Sequence, residues 1–136
     1  MAHTAHQDEE QLKEHFESAK SVDKKATQLA SLIQESKHCI FFTGAGISTS
    51  AGIPDFRGPT GVWTLMDQGK SQPESTVEML EAVPTLSHMS LVELVSKGLC
   101  KYIVSQNCDG LHRKSGIRKQ HISELHGNTN LETCIK

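Results

Sequence analysis

The sequence has few aromatic residues, no long apolar run and no large excess of one charge. Aromatic residues make up 4% and hydrophobic residues 36% of its 136 residues. This lean composition predicts that part of the chain lies outside any core, and a domain of about 150 residues has enough interior for one core. No apolar run approaches the roughly 18 residues of a transmembrane helix, so we expect no membrane partner.

Charge and cysteine usage narrow the class further. The 14 Lys and Arg against 16 Asp and Glu give a net charge of −2, whereas domains that coat polyanions are strongly basic. Direct nucleic-acid binding is therefore not indicated. The first ten residues lack an apolar h-region, so no secretory signal is predicted. The cysteines form no CxxC pair, which favours reduced thiols in a cytosolic or nuclear protein: Cys39, Cys100, Cys108 and Cys134.

The amino-terminal part is charged and helical in pattern. Apolar residues recur at steps of three or four from Leu12 to Ile33, which predicts a helix from about Glu9 to Ser36, with a break near residues 21–23. We interpret it as a helix that packs on the flank of the domain. The sequence therefore predicts two parts of the chain: an amino-terminal helical segment, residues 1–36, and a second part, residues 37–136.

The remaining residues predict an α/β fold with a parallel sheet. An apolar run at residues 39–43 predicts a buried strand, and residues 44–70 predict a loop with short helical turns. A helix is expected between Pro84–Thr85 and Gly98. A second strand at residues 101–105, a short helix or turn around 111–115 and a third strand near 122–126 follow. The order of strand, helical crossover and strand is typical of parallel sheets.

Two glycine-containing loops follow the first strand. The segment Gly44–Ala45–Gly46–Ile47–Ser48–Thr49 would let the backbone approach a phosphate. Thr49, however, occupies the place of the third glycine of the dinucleotide fingerprint. The segment from Gly52 to Gly58 offers a carboxylate, a ring and a guanidinium that suit a diphosphate, a ribose or a flat heterocycle. Alternatively, the first loop is a tight turn without a ligand, and the second is an ordinary surface turn.

Two polar clusters follow the later strands. Gln106, Asn107 and Asp109 come after the second strand, where ligands sit in open α/β sheets. His126 lies beside Gly127 at the end of the third strand, and histidine is the natural general base near neutral pH. The alternatives are turn chemistry for the first cluster and a structural role for the histidine. We assign a structural role to four other histidines: His38, His88, His112 and His121.

Taken in order, the four clusters resemble the signature series of the sirtuins, which are NAD-dependent protein deacylases. The segments Gly61–Val62–Trp63 and Pro84–Thr85–Leu86–Ser87–His88–Met89 resemble the class IV branch, which contains nuclear enzymes. The resemblance spans about residues 39–134. It implies a Rossmann-like parallel sheet with flanking helices, incomplete because the later strands and the zinc module are absent.

The resemblance also implies residue roles. Catalytic roles fall to His126 as the base, with Asn107 and Asp109 around the nicotinamide carboxamide and its ribose. NAD-binding roles fall to the glycine loop and its neighbours, including Phe56 over the nicotinamide pocket: Gly44, Ala45, Gly46, Thr49, Asp55, Phe56, Arg57, Trp63, Gln106, Asn107 and His126.

The implied reaction begins when the acyl-lysine carbonyl oxygen attacks the ribose carbon that loses nicotinamide. His126 then deprotonates a ribose hydroxyl, and the acyl group passes to ADP-ribose. The implied partners are acyl-lysine proteins, with histones or chromatin proteins as candidates, in the nucleus or cytoplasm. Two alternatives stay open: a truncated, non-catalytic fragment with residual nucleotide or partner binding, and a mono-ADP-ribosyltransferase.

The family pattern stops at the end of the sequence. Sirtuins carry a structural zinc held by two CxxC pairs, and Cys134 is placed like the first ligand, with two residues after it. One thiolate cannot hold a structural zinc. We therefore expect an incomplete zinc site and a chain too short to be active alone.

Overall fold

Three parallel strands lie at the centre of the computed structural model, which describes residues 10, 13–71, 77, 80–132 and 134. In chain order the described elements are α1 (Ala19–Glu35), β1 (Cys39–Thr43), α2 (Val62–Asp67), α3 (Leu86–Ser96), β2 (Cys100–Ser105), α4 (Leu111–Lys114) and β3 (Ile122–Glu124). Short 3-10 helices occupy Ala45–Ile47, Thr49–Ala51 and Lys119–His121. The predicted α/β class is confirmed, and the bounds of the three strands, α3 and α4 differ from the prediction by at most two residues.

The sheet has the order β1-β2-β3, with both pairs parallel. Thr43 pairs with Ser105, and Ser105 pairs with Glu124, so the carboxyl ends of the three strands are level. The loops that follow the strands therefore leave the sheet at one edge, which is where open α/β sheets bind ligands.

The core lies on one side of the sheet, where α3 packs against β2. Its buried members are Leu91, Cys100, Ile103, Ile117 and Ile122, with Phe41, Val92, Leu94 and Val95 packed against them. On β1, alternate side chains point the other way, and Ile40 and Phe42 are 53% and 64% exposed. The prediction of a fully buried first strand is therefore wrong for the described residues: β1 is buried on one face.

Helix α3 begins and ends at the residues that the sequence predicts. The Thr85 side chain accepts a hydrogen bond from the His88 amide, and the His88 side chain reaches back to the Thr85 amide, which forms a capping box. The chain leaves the helix at Gly98, whose φ of 69° is in the left-handed region that glycine adopts without strain.

Helix α1 starts later than the predicted helix, at Ala19, because the Ser18 side chain caps it by accepting from the Ser21 amide. Residues 13–18 are not helical, so the predicted break lies before residues 21–23. None of the helix residues is buried, and Leu29 and Leu32 are more than half exposed. The predicted packing against the domain is therefore not found. Within the described part of the chain, no helix is both long and apolar enough to cross a bilayer.

Candidate functional site

The site is built where the three strands end. The Gln106 amide donates to the Thr43 carbonyl at 3.0 Å, and the Leu125 amide donates to the Ser105 carbonyl at 2.9 Å. These bonds continue the sheet by one residue beyond β2 and β3. As a result, the loops beginning at Gly44, Gln106 and Leu125 start side by side.

A buried hydrogen-bond network joins the first two of these loops. The Ser48 hydroxyl donates to Asp109 Oδ2 at 2.6 Å, and the Leu111 amide donates to Asp109 Oδ1 at 2.9 Å. The Asn107 side-chain amide donates to the Gly44 carbonyl at 3.0 Å and to the Ser48 hydroxyl at 3.3 Å. Asp109 is a buried carboxylate whose oxygens are both hydrogen-bonded, so it acts here as an anchor for the two loops.

His126 is exposed, and its ring is oriented by the backbone of the loop that follows β2. Its Nδ1 lies 2.7 Å from the Gln106 carbonyl oxygen. Because a carbonyl can only accept, Nδ1 carries the hydrogen of the bond, and in a neutral imidazole Nε2 then carries the lone pair. The arrangement thus sets the tautomer that a general base acting through Nε2 requires.

The second glycine loop folds around Asp55. The Gly58 amide donates to the Asp55 carboxylate at 3.1 Å, and the Val62 amide donates to the Asp55 carbonyl at 2.9 Å. A Cβ at Gly61 would lie 2.6 Å from Asp55 Oδ1, so only glycine fits there. Asp55 therefore shapes this loop with both its backbone and its side chain.

Three predicted cofactor residues, Phe56, Arg57 and Trp63, form an aromatic–cation cluster. The rings of Phe56 and Trp63 have centroids 4.9 Å apart, and the Arg57 guanidinium carbon lies 4.8 Å from the Trp63 ring centroid. Phe56 is 46% exposed. A guanidinium over an aromatic ring is a favourable cation–π contact, so the cluster presents an apolar surface and a positive charge together.

A cavity of about 420 Å³ connects the first two clusters of the sequence. Gly46, Thr49 and Asp55 line it, and Glu14 contributes from the amino-terminal segment. Gly46 has open space where a Cβ would stand, with no atom within 4 Å. An exposed glycine backbone beside a cavity is suited to close approach by a diphosphate, so the donor set fits the predicted nucleotide.

The predicted residues are therefore brought together in two ways. Gly44, Gln106, Asn107 and Asp109 are joined by hydrogen bonds or direct proximity, with His126 bound to Gln106. Phe56 and Arg57 of the aromatic–cation cluster share their loop with Asp55, which lines the cavity. Phe56, Asn107 and His126 do not line that cavity, so their convergence on one ligand stays a prediction.

Ser48 is the site residue that the sequence reasoning missed. It is completely buried and is the donor to Asp109. The signal available in the sequence was its place directly after the Gly44–Ala45–Gly46–Ile47 turn, but nothing in that pattern names Asp109 as its partner.

The predicted metal ligand, Cys134, belongs to no metal-binding group among the described residues. Cys134 is exposed, and the described residues contain no group of three or more histidine, cysteine or carboxylate side chains that could hold a metal ion. Structural zinc requires four ligands in a tetrahedron. The residues described here do not fit a zinc site.

The fold and the site define a class: an α/β protein whose glycine-containing and polar loops lie at the carboxyl ends of parallel strands, where open α/β sheets bind ligands. The model of the Sir2 family matches residues 44–79 and 71–136. The chain belongs to the Sir2 family.

Curated relatives and solved structures agree with this assignment. The chain is 51% identical over 121 residues to the NAD-dependent protein deacetylase SRT1 of Arabidopsis thaliana, covering 89% of this chain and 26% of the relative. It is 52% identical over 110 residues to human sirtuin-7, covering 81% and 27% respectively, and this match confirms the resemblance to class IV. The structure described as "Sir2-p53 peptide-NAD+" matches with a TM-score of 0.59 and 37% identity, covering 74% of this chain and 45% of that one.

These relatives are named as NAD-dependent deacetylases, so the family is one of enzymes. The chain spans about a quarter of the length of the two curated relatives.

Proposed function

We propose that this chain forms the nicotinamide and ribose side of the active site of an NAD-dependent protein lysine deacylase. The observation that carries the proposal is the bond from His126 Nδ1 to the Gln106 carbonyl, which orients a base at the edge where the glycine loop begins. The Sir2 family membership and the names of the relatives support the same cofactor and reaction.

In this proposal each loop holds one part of NAD. The glycine loop Gly44–Ala45–Gly46 and Thr49 hold the diphosphate through backbone and hydroxyl donors, and Arg57 adds a positive charge. Phe56 covers the nicotinamide pocket with Trp63 beside it, while Gln106 binds ribose hydroxyls. Asn107 and Asp109 lie around the carboxamide, and the buried bond from Ser48 to Asp109 holds them in place.

The chemistry of the bound NAD is the departure of nicotinamide from the ribose carbon, which accepts the acyl-lysine oxygen. His126 then takes a proton at Nε2 from a ribose hydroxyl, and that hydroxyl oxygen receives the acyl group. The positive charge on the imidazole is stabilised through Nδ1–H by the Gln106 carbonyl dipole. One water then adds to the acyl carbon and the lysine amine leaves, so the products are deacylated lysine, nicotinamide and O-acyl-ADP-ribose.

The test is His126→Ala in the complete protein, with an acetyl-lysine peptide and NAD as substrates. A general base contributes about 10²- to 10⁴-fold in rate, so turnover should fall by that factor. NAD binding, measured by calorimetry, should persist. His121→Ala is the matched control, since His121 is a partly exposed histidine outside the site, in the 3-10 helix before β3. Unchanged turnover in His126→Ala would exclude His126 as the base.

A second candidate is a non-catalytic fragment that binds nucleotide or a partner. The exposed face of β1 favours it. On this account the 136-residue chain alone releases no nicotinamide above background when given NAD and acetyl-lysine peptide. Nicotinamide release together with acyl-ADP-ribose would contradict it.

The same assay separates the third candidate. Nicotinamide release without acyl-ADP-ribose, accompanied by ADP-ribose on protein, would identify mono-ADP-ribosyl transfer.

For the deacylase, we propose acyl-lysine proteins as substrates, with histones or chromatin proteins as candidates and the nucleus as the location. Residues 1–36, which include helix α1, form an accessory segment in this proposal, and residues 37–136 form the amino-terminal part of the catalytic domain.

A further inference from the structure

Two buried imidazoles lie in contact beneath the site. His88 on α3 has no exposed surface and His112 on α4 is 2% exposed. Their ring centroids are 4.9 Å apart, with the ring planes at 67°. Buried polar side chains are costly unless they are bonded, so the bonds that each ring makes indicate what the pair is for.

His112 is bonded to the residue immediately before the glycine loop. Its Nε2 lies 2.8 Å from the hydroxyl of Thr43, which is the last residue of β1. The next residue is Gly44, whose carbonyl accepts from Asn107. The imidazole of His112 thus fixes the entrance of the loop.

His88 is connected to the other end of the same loop. Its Nδ1 accepts from the Thr85 amide at 3.2 Å, and the Thr85 hydroxyl, 2.8 Å from the same nitrogen, donates to the Ile47 carbonyl at 2.8 Å. Ile47 directly precedes Ser48, the donor to Asp109. The two rings, packed on each other, therefore span the loop from Thr43 to Ile47.

Both rings are neutral at ordinary pH. Burial lowers the pKa of His112 to about 4, with a further lowering from His88. Burial also lowers the pKa of His88, and the Asp109 carboxylate acts weakly in the opposite direction on both. Neutral rings pack against each other without charge repulsion. Among the described residues His88 Nε2 and His112 Nδ1 have no hydrogen-bond partner, so each ring is held to the loop through its other nitrogen.

We propose that His88 and His112 are positioning residues that hold the two ends of the glycine loop, residues 44–47, in the conformation that receives the diphosphate of NAD. The proposal rests on the proposed function for the identity of the ligand. Neither ring touches the reacting atoms in this account.

Conservative substitutions separate the hydrogen bonds from the bulk of the rings. The terminal amide of asparagine reaches about as far as imidazole Nδ1, and that of glutamine reaches about as far as Nε2. His88→Asn and His112→Gln therefore keep a donor or acceptor at the bonded position. His88→Gln and His112→Asn carry the same amide group, but at the reach of the other ring nitrogen. They therefore lose the hydrogen bond and form the bond-losing pair.

The test measures NAD affinity by calorimetry and the thermal midpoint in the full chain carrying each substitution. We expect His88→Gln and His112→Asn to weaken NAD binding about tenfold or more, and His88→Asn and His112→Gln to stay within about threefold of the parent. The thermal midpoints of the four variants should not show the same difference between the bond-keeping pair and the bond-losing pair. Equal NAD affinity in all four, or affinity that follows the thermal midpoint, would overturn the proposal.

A second readout does not depend on NAD. The amides of Ile47 and Ser48 donate to the carbonyls of Gly44 and Ala45 within the loop, so their hydrogen exchange reports loop order. Exchange should accelerate in His88→Gln and His112→Asn alone. If the parent does not bind NAD, the proposed function fails while this measurement still decides the positioning role. Uniform exchange, or unfolding of His88→Asn and His112→Gln, would contradict it.

Discussion

The hydroxyl of Ser48 donates a hydrogen bond of 2.6 Å to the carboxylate of Asp109, across 61 positions of sequence. Both residues are buried. The bond ties the loop after β1 to the loop after β2, which are the two loops that carry most of the predicted cofactor residues. In this family member, therefore, the geometry of the site depends on a contact between residues that are distant in the sequence.

Removing this hydroxyl should weaken both the fold and the site. Ser48→Ala leaves a buried carboxylate oxygen without its donor, and hydrogen bonds to charged groups contribute about 1.5–3 kcal/mol. We expect the free energy of unfolding, measured by chemical denaturation, to fall by about that amount, and NAD affinity to fall with it. Ser50→Ala is the control, because Ser50 is exposed on the neighbouring 3-10 helix. Equal losses in both variants would show that the Asp109 bond is not the cause.

Gly110 should tolerate no side chain. Its φ is 75°, and a Cβ there would lie 2.5 Å from Asn130 Nδ2 and 3.1 Å from Asn128 Oδ1. Gly110→Ala should therefore lower the free energy of unfolding by about 1–2 kcal/mol through backbone strain. It should lower it by about 0.5–1.5 kcal/mol more because the Asn130 side chain must move away and give up its hydrogen bond to the Asp109 carbonyl. Gly69→Ala is the control, because Gly69 has a φ of 66° and open space around it. Denaturation midpoints should separate the two variants; identical midpoints would refute the contact.

Stability should depend on pH through His112. Its pKa is about 4 in the folded chain and near 6.5 in the unfolded chain. The unfolded chain therefore binds more protons between these values, so the free energy of unfolding is full above about pH 6.5 and falls as the pH drops towards 4. The loss due to this group is about 3 kcal/mol. The lowered pKa of His88 acts in the same direction.

The variant His112→Gln isolates this contribution from that of the carboxylates, which also titrate at low pH. Its free energy of unfolding should depend less steeply on pH between 4 and 6.5 than that of the parent. Parallel pH profiles for the two proteins would contradict a neutral, buried His112.

Glu14 should oppose binding of an anion at the glycine loop. It lines the same cavity as Gly46 and Thr49, and its carboxylate repels a diphosphate placed there. Glu14→Gln should tighten NAD binding by about two- to fivefold at low ionic strength and by less at high salt, because exposed charges are screened. Calorimetry at two salt concentrations measures this. Glu17→Gln, an exposed carboxylate of the same segment paired with Lys25, is the control, and an equal effect in both would attribute the change to net charge.

The sequence allowed the parallel sheet and its element order to be predicted because each element carries local signals. The apolar run before Gly44, the capping Thr85 and the terminating Gly98 are all read directly from neighbouring residues. The position of the ligand loops at one edge then follows from parallel strands alone. For the same reason the candidate residues Gln106, Asn107 and Asp109 could be named from their place after a strand.

Other features depend on contacts between distant residues, which no local pattern reveals. The partner of Ser48 and the pairing of His88 with His112 arise only when α3 and α4 meet beneath the loops. The exposure of Phe42 depends on which face of the sheet the described residues cover. Helix α1 has a clear apolar periodicity, but periodicity alone does not show whether another part of the chain covers the apolar side.

The central claim is that the separate loops bind one nucleotide, and amide chemical shifts during an NAD titration of the isotope-labelled chain test it most directly. The account predicts that amides of residues 44–49, 55–57 and 106–109, together with His126, shift along a single saturation curve with one dissociation constant. Shifts confined to one of these segments, or segments that saturate with different constants, would contradict it.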